Sequence, residues 1–103
     1  MTFKAKRKFK KFWRLADSLK KEFNLKIKIE RANPGKQFDG VCYKDKKMFR
    51  VKIDPKLTQR HAIETLIHEI GHCLAWNKEK DDHGPKWGIA YSKAYRFFIE
   101  KFI

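Results

Sequence analysis

The stretch HEIGH, residues 68–72, places two histidines four residues apart, with a glutamate directly after the first. Residues four apart on a helix lie one turn from each other on the same face, so both imidazoles can reach one ion. Zinc accepts imidazole nitrogen at about 2.0–2.1 Å. Glu69 is rotated by about 100° from His68, so it can act on a nearby water molecule without ligating the metal. The spacing therefore predicts a metal site with Glu69 as its general base.

The residues around HEIGH predict a helix whose histidines face away from the core. Projected at about 100° per residue, five apolar side chains share one arc and the two histidines point to the opposite side. The five are Ile63, Leu66, Ile67, Ile70 and Leu74. Thr58 is a suitable N-cap, and we expect the helix from about Gln59 to Trp76. The alternative interpretation is a pair of surface histidines that bind nothing.

A tight site needs a third ligand, and His83 is the best candidate. The chain has four histidines, so only His61 and His83 remain. His61 lies two turns, about 10.5 Å, before His68, which is too far to share the ion; we expect it at the surface or in a cleft wall. His83 follows the polar loop NKEKDD and precedes Gly84 and Pro85, where the chain can reverse. Three histidines with an open fourth position are typical of catalytic zinc. The alternative is a loop histidine without a role.

The other elements follow from hydrophobic periodicity and turn residues. Alternating apolar residues predict a strand over 25–31 and a hairpin formed by 40–43 and 48–54. Helical spacing predicts a first helix over 5–23 and a last helix that begins at Pro85. The order α-β-β-β-α-α predicts an α+β fold, in which a three-stranded sheet packs on the helix that contains HEIGH. We expect residues 1–103 to form a single domain of the small zincin-like kind.

Composition limits the classes of protein that the chain can belong to. With 42% apolar and 15% aromatic residues among 103, the chain is long enough for one core and too aromatic for a disordered protein. Cys42 and Cys73 match no CxxC pair, so neither a disulfide framework nor a cysteine zinc site is indicated. No apolar run reaches membrane-spanning length, and the N-terminus lacks a signal-peptide core. We expect a cytoplasmic monomer that does not bind membranes.

The net charge of +14 favours an acidic partner, and the charge is concentrated near the N-terminus. Residues 1–31 contain 12 Lys or Arg residues and 3 acidic residues. The densest block predicts phosphate contacts with DNA; its proposed contact residues are Lys6, Arg7, Lys8, Lys10 and Lys11. A solvated helix face and an anionic membrane surface are the alternative interpretations.

The segments HEIGHCLAW and DDHGPKW together resemble the signature of the SprT-like zinc metalloproteases, the group that includes Spartan. In that signature HExxH is followed by a loop and by His-Gly-x-x-aromatic, and the match spans residues 58 to about 98. The resemblance implies one zinc per chain, with His68, His72 and His83 as ligands and Glu69 as general base. It also implies a protein substrate that is bound or crosslinked to DNA. For the expected cytoplasmic location, a place at the nucleoid and a phage-encoded protein in a host cytoplasm are both open.

Two departures from the family pattern change what the resemblance implies. The loop between His72 and His83 is shorter than in Spartan-type proteins, so the third ligand has less freedom. Cys42 and Cys73 are two isolated cysteines, which cannot build a zinc ribbon, so we expect any DNA contact to come from the domain itself. Two other functions stay open on the sequence. One is a basic DNA-binding module with a structural zinc, and the other is a small metallopeptidase that cleaves a specific regulator.

Three further expectations concern residues near the site. Cys73 should be a small core residue, because it is rotated away from the histidine face. Tyr91 and Tyr95 could approach a reaction intermediate, but their helical spacing with Trp87 favours core packing. The strand MFRVKID runs directly into the catalytic helix and could align an extended substrate by backbone pairing if it lies at the sheet edge.

Overall fold

The structure is a computed structural model that describes residues 9–77 and 83–103. Its elements follow the order that the sequence predicts, so the α+β prediction is confirmed. They are Lys10–Glu22 (α1), Ile27–Arg31 (β1), Gly40–Asp45 (β2), Met48–Ile53 (β3), Gln59–Leu74 (α2) and Pro85–Phe102 (α3). Both strands of the predicted hairpin are present, and α2 ends two residues before the predicted Trp76.

The three strands form a mixed sheet with β3 in the centre. β2 pairs with β3 as an antiparallel hairpin, whereas β1 pairs with β3 in parallel, with Ile27 opposite Phe49. Val51 and Ile53 are fully buried beneath α2, whereas Arg50 and Lys52 alternate with them and are half-buried. The prediction that β3 could lie at the sheet edge is wrong, because β1 occupies the side of β3 that a substrate would need. β2 and β1 are the edge strands.

Helix α2 is the centre of the core and is covered from several sides. The predicted residues Ile63, Leu66, Ile67 and Ile70 are buried, whereas Leu74 at the last position is half-buried. The sheet, α1 and α3 all pack against this helix. Their buried contributions are Phe12, Leu15, Ala16 and Leu19 from α1, Ile27, Val51 and Ile53 from the sheet, and Ala90, Ala94 and Phe98 from α3. Since each large apolar side chain contributes about 1.5–3 kcal/mol on burial, α2 is held firmly in place.

The start of α2 is fixed by its N-cap and by Arg31 at the end of β1. The Thr58 hydroxyl accepts a hydrogen bond from the backbone N–H of His61 at 3.3 Å, as the sequence predicts. The Arg31 guanidinium donates to the carbonyl oxygens of Pro55 and Leu57 at 3.1 and 2.9 Å. It also lies over the ring of Phe9, 4.3 Å from its centroid. The segment that connects β3 to α2 is therefore tied to β1 and to the start of α1.

Helix α1 carries only part of the predicted basic block within the described residues. Lys10 and Lys11 are exposed on its first turn, and the Lys11 ammonium lies 5.7 Å from the Phe98 ring centroid. Lys6, Arg7 and Lys8 lie outside the described residues, as does the first part of the predicted helix over 5–23. Among the described helices, none is long and apolar enough to cross a membrane.

Candidate metal centre and catalytic cleft

The structure brings the three predicted histidines together around one point. His72 Nε2 lies 3.2 Å from His68 Nε2, and His83 Nε2 lies 3.4 Å from His68 Nε2. Tetrahedral coordination with bonds of about 2.0–2.1 Å requires ligand nitrogens about 3.4 Å apart, so the observed spacing fits a zinc-sized ion. The three ligand atoms all lie within 4.8 Å of one another, and these histidines could hold a metal ion. His61 is not a member of this group.

Local helix geometry positions two of the three histidines, and helix packing positions the third. His68 and His72 lie one turn apart on α2, whereas His83 lies two residues before α3. α3 crosses α2 closely at Gly71, where an added Cβ would lie 3.1 Å from Trp87 Nε1 and 3.2 Å from the Cα atom of Tyr91. The absence of a side chain at position 71 therefore lets α3 come near enough for His83 to join the other two histidines.

Trp87, one turn after His83, packs against all three histidine rings. Its ring centroid lies 5.2 Å from that of His68, 5.7 Å from that of His72 and 4.9 Å from that of His83. The indole Nε1–H donates to the backbone carbonyl of His68 at 3.5 Å. Trp87 therefore limits the rotation of the three imidazoles and keeps their nitrogens directed at one point.

Glu69 is the only buried charged residue among those the structure describes, at 7% exposure. The start of β2 covers it, because Gly40 lies so close that an added Cβ would be 3.4 Å from Glu69 Cγ and 2.6 Å from Thr65 Cγ2. Burial raises the pKa of Glu69 to about 7. A carboxyl group with this pKa can both accept and donate a proton near neutral pH.

The pKa of His68 is lowered, first by burial and then by the proximity of His83. Both effects disfavour the imidazolium form. Since a metal binds only the neutral imidazole, the lowered pKa of His68 favours the protonation state that a ligand needs.

A cleft of about 370 Å³ opens in front of Glu69 and His68. One wall comes from the segment Gln37–Gly40, the floor from α2 and the third side from Tyr91 on α3. His61 lies in this cleft and pairs with Asp39 at 3.0 Å, which confirms the expectation that it is a cleft-wall residue. Phe38 is 62% exposed at the same wall. An extended chain can therefore reach the histidine cluster from solvent.

Two predictions about aromatic and sulfur residues have different outcomes. Tyr95 is 41% exposed, so the prediction that it packs in the core is wrong. Tyr91 is half-buried, contacts Trp87 and lines the cleft. Cys73 is buried, as predicted. Its sulfur, however, lies 2.8 Å from that of Cys42, a contact that the sequence spacing did not predict.

The sequence alone did not predict three residues of the site, Phe38, Asp39 and Trp87. They reach the site through packing between helices and strands. Asp39 and Phe38 reach the cleft because β2 begins beside Glu69, and no local pattern predicts this. Trp87 had a usable signal, since it is the aromatic residue of the His-Gly-x-x-aromatic segment that begins at His83.

Comparison with known proteins gives one match. The model of the SprT-like family matches residues 5–98, which include every described element of the site. No curated protein and no solved structure matches the chain. The match agrees with the resemblance that the two signature segments carry.

The histidine cluster predicts how the metal content responds to single substitutions. We expect one zinc per chain by elemental analysis, lost or greatly weakened in His68→Ala, His72→Ala and His83→Ala, because each removes one of the three imidazoles that could hold the ion. His61→Ala is the matched control, since it removes an imidazole from the same cleft and should retain zinc. Stoichiometric, tightly held zinc in His83→Ala would exclude His83 from the ligand set.

The burial of Glu69 predicts a pH-dependent stability difference in the metal-free protein. The folded state keeps the Glu69 proton up to a pKa of about 7, whereas the unfolded chain releases it near 4.5. Between these values the folded state binds more protons, so this residue lowers the stability of the wild type as pH rises. Glutamine cannot ionise. In urea unfolding, the free energy of unfolding of Glu69→Gln relative to that of the wild type should therefore rise by about 3 kcal/mol between pH 4.5 and about pH 8. If the free energies of unfolding of Glu69→Gln and the wild type differed by the same amount at both pH values, the raised pKa would be contradicted.

Proposed function

The chain belongs to the SprT-like family, and from this membership we propose that it is a zinc-dependent endopeptidase that acts on DNA-bound or DNA-crosslinked proteins. The family suggests a metallopeptidase-like domain, and the histidine cluster could hold the metal. The observation that supports the proposal most is the position of a buried carboxyl group, Glu69, which lines an open cleft together with His68, one of three converging imidazoles. A zinc that only stabilises the fold has no use for such a carboxyl group.

Each residue of the cluster has a distinct task in peptide hydrolysis. His68, His72 and His83 would hold zinc, which supplies a Lewis acid for the scissile carbonyl and favours deprotonation of the attacking water. Trp87 keeps the imidazoles in place and covers one side of the cluster. Three protein ligands leave a fourth position free for the reaction.

Glu69 would move the proton. Its carboxylate takes a proton from the attacking water, and the resulting acid returns this proton to the amine that leaves when the peptide bond breaks. The pKa of about 7 suits both directions of transfer, because neither the base nor the acid form is strongly preferred near neutral pH. Gly40 packs close to the Glu69 side chain, since an added Cβ at position 40 would lie 3.4 Å from Glu69 Cγ.

An extended substrate would lie along β2 and not along β3. β2 is an edge strand whose start at Gly40 forms part of the cleft, so its free backbone groups can pair with a peptide next to Glu69. Backbone pairing is independent of side chains. We therefore propose loose selectivity, with Phe38 available to contact an apolar side chain of the substrate.

We propose DNA as the partner that brings the enzyme to its substrate. The net charge of +14 provides a field that attracts phosphates without reading sequence. Lys10 and Lys11 are exposed on α1, an element different from the one that carries Glu69. Lys6, Arg7 and Lys8 precede them in the chain. A monomer could therefore hold DNA at one surface and cut protein at another.

Substitution of Glu69 tests the enzymatic part of the proposal. Glu69→Gln should keep the fold and the zinc, because the side chain is nearly isosteric and is not a ligand. It should lose hydrolysis by at least about 10² to 10⁴ in rate, the usual contribution of proton transfer. The measurement is cleavage of an unfolded protein by zinc-loaded enzyme, with and without single-stranded and duplex DNA.

Glu64→Gln is the matched control for this experiment, since Glu64 lies on the same helix and lines the same cleft but is not beside the histidines in the buried position. It should retain activity. If the wild type were as inactive as Glu69→Gln on every substrate and DNA form, the chain would be better described as a DNA-binding module with a structural zinc.

The salt dependence of DNA binding tests the partner. If the N-terminal block neutralises Z phosphates, the log-log salt slope should be about −0.9Z on duplex DNA and −0.7Z on single strands. Replacing the block with glutamine should flatten the slope and weaken binding to all sequences alike, while zinc content and cleavage of a free peptide stay unchanged. The substituted residues are Lys6, Arg7, Lys8, Lys10 and Lys11.

The control removes the same number of positive charges from exposed positions elsewhere. It replaces Lys44, Lys46, Lys47, Lys56 and Lys101 with glutamine. A local phosphate site predicts a clearly smaller change of slope in this control than in the block variant. Equal changes of slope in the two variants would show that DNA binding depends on net charge alone. An unchanged slope in the block variant would show that the basic face of α1 is only solvated.

A further inference from the structure

The two cysteines of the chain lie against each other although 31 positions separate them. Cys42 is in the middle of β2, opposite Val51, and Cys73 is in the last turn of α2. Their sulfur atoms are 2.8 Å apart. Both thiols are free. Neither of them belongs to the histidine cluster or to the lining of the cleft, so the proposed hydrolysis does not use them.

We propose that Cys42 and Cys73 form a site of oxidative modification, at which a peroxide converts the two thiols into an intramolecular disulfide. A disulfide needs its sulfur atoms about 2.05 Å apart, so the two atoms must approach by less than 1 Å. The strand that carries Cys42 is an edge strand, hydrogen-bonded to one neighbour only. A small displacement of β2 towards α2 is therefore enough to bring the sulfurs to bonding distance.

The exposure of the two cysteine residues gives the order in which they react with the peroxide. Cys42 is half-buried, whereas Cys73 is only 4% exposed, so the peroxide reaches Cys42 first. The Cys42 sulfur attacks one peroxide oxygen; an S–O bond forms, the O–O bond breaks, and the other oxygen leaves as water. The Cys73 sulfur then attacks the Cys42 sulfenic acid; the S–S bond forms, the S–O bond breaks, and a second water leaves. Two thiols and one hydrogen peroxide thus give one disulfide and two waters.

The bond would connect the cleft wall to the helix that carries the histidines. Cys73 directly follows His72, and Cys42 lies two residues after Gly40, which packs on Glu69. Because the crosslink closes a long loop between residues 42 and 73, it restricts the unfolded chain. Oxidation should therefore raise the melting temperature of the protein, and reduction should restore the original value.

Mass spectrometry and thiol counting test this directly on the zinc-loaded full chain, treated with hydrogen peroxide and then with dithiothreitol. The proposal predicts two thiols, titrated in the denatured chain, before treatment, none afterwards, and a mass lower by about 2 Da for a product of one chain. Dithiothreitol should restore both thiols and the original mass. Peptide mapping should find a fragment in which Cys42 is joined to Cys73.

The control variants are Cys42→Ser and Cys73→Ala, each treated in the same way. Neither can lose about 2 Da as a monomer, because each has a single thiol. If Cys73→Ala does not fold, Cys42→Ser alone serves, since it alters the less buried position. The proposal is overturned if both wild-type thiols survive the peroxide. It is also overturned if the main product carries added oxygen without a disulfide, or is a dimer linked between chains.

Discussion

The close crossing of α3 over α2 at Gly71 is the contact on which the candidate site depends. α2 alone supplies two imidazoles, and two ligands do not make a tight zinc site. An added Cβ at position 71 would lie 3.1 Å from Trp87 Nε1 and 3.2 Å from the Cα atom of Tyr91, so these neighbours would have to shift by a few tenths of an ångström. Such a shift would disturb the packing that places His83 beside His68 and Trp87 against the histidine rings. The third histidine and the indole that packs on it therefore depend on the close contact at this glycine.

The electrostatics of the site differ from those of the rest of the molecule. The chain is strongly basic, with a net charge of +14, whereas the site contains a buried carboxyl group and an imidazole, His68, whose pKa is lowered. Burial is the main cause of both pKa shifts. The packing that covers Glu69 with β2 therefore raises the pKa of this carboxyl group to about 7. The positive charge is concentrated in residues 1–31, which contain 12 Lys or Arg residues and 3 acidic residues.

The sequence predicted those features of the fold and the site that depend on residues close together in the chain. The pairing of His68 with His72 follows from helical periodicity, and the start of α2 follows from the Thr58 cap. His83 could be chosen because few histidines remained and a turn follows it. The central place of β3 was not predictable, since its parallel pairing with β1 leaves no local signal. The burial of Glu69, the contact between Cys42 and Cys73 and the rings around Trp87 arise from packing between distant segments, which periodicity does not encode.

The central claim is that three histidines hold one metal ion in an open site beside Glu69. X-ray absorption spectroscopy of the zinc-loaded protein tests it most directly, with and without a hydroxamate that competes for the fourth position. The account predicts three imidazole nitrogens at about 2.0–2.1 Å and a single oxygen donor, with the oxygen contribution changing when hydroxamate is added. Four protein ligands, or any sulfur ligand from Cys42 or Cys73, with a spectrum that hydroxamate leaves unchanged, would contradict it and indicate a structural zinc.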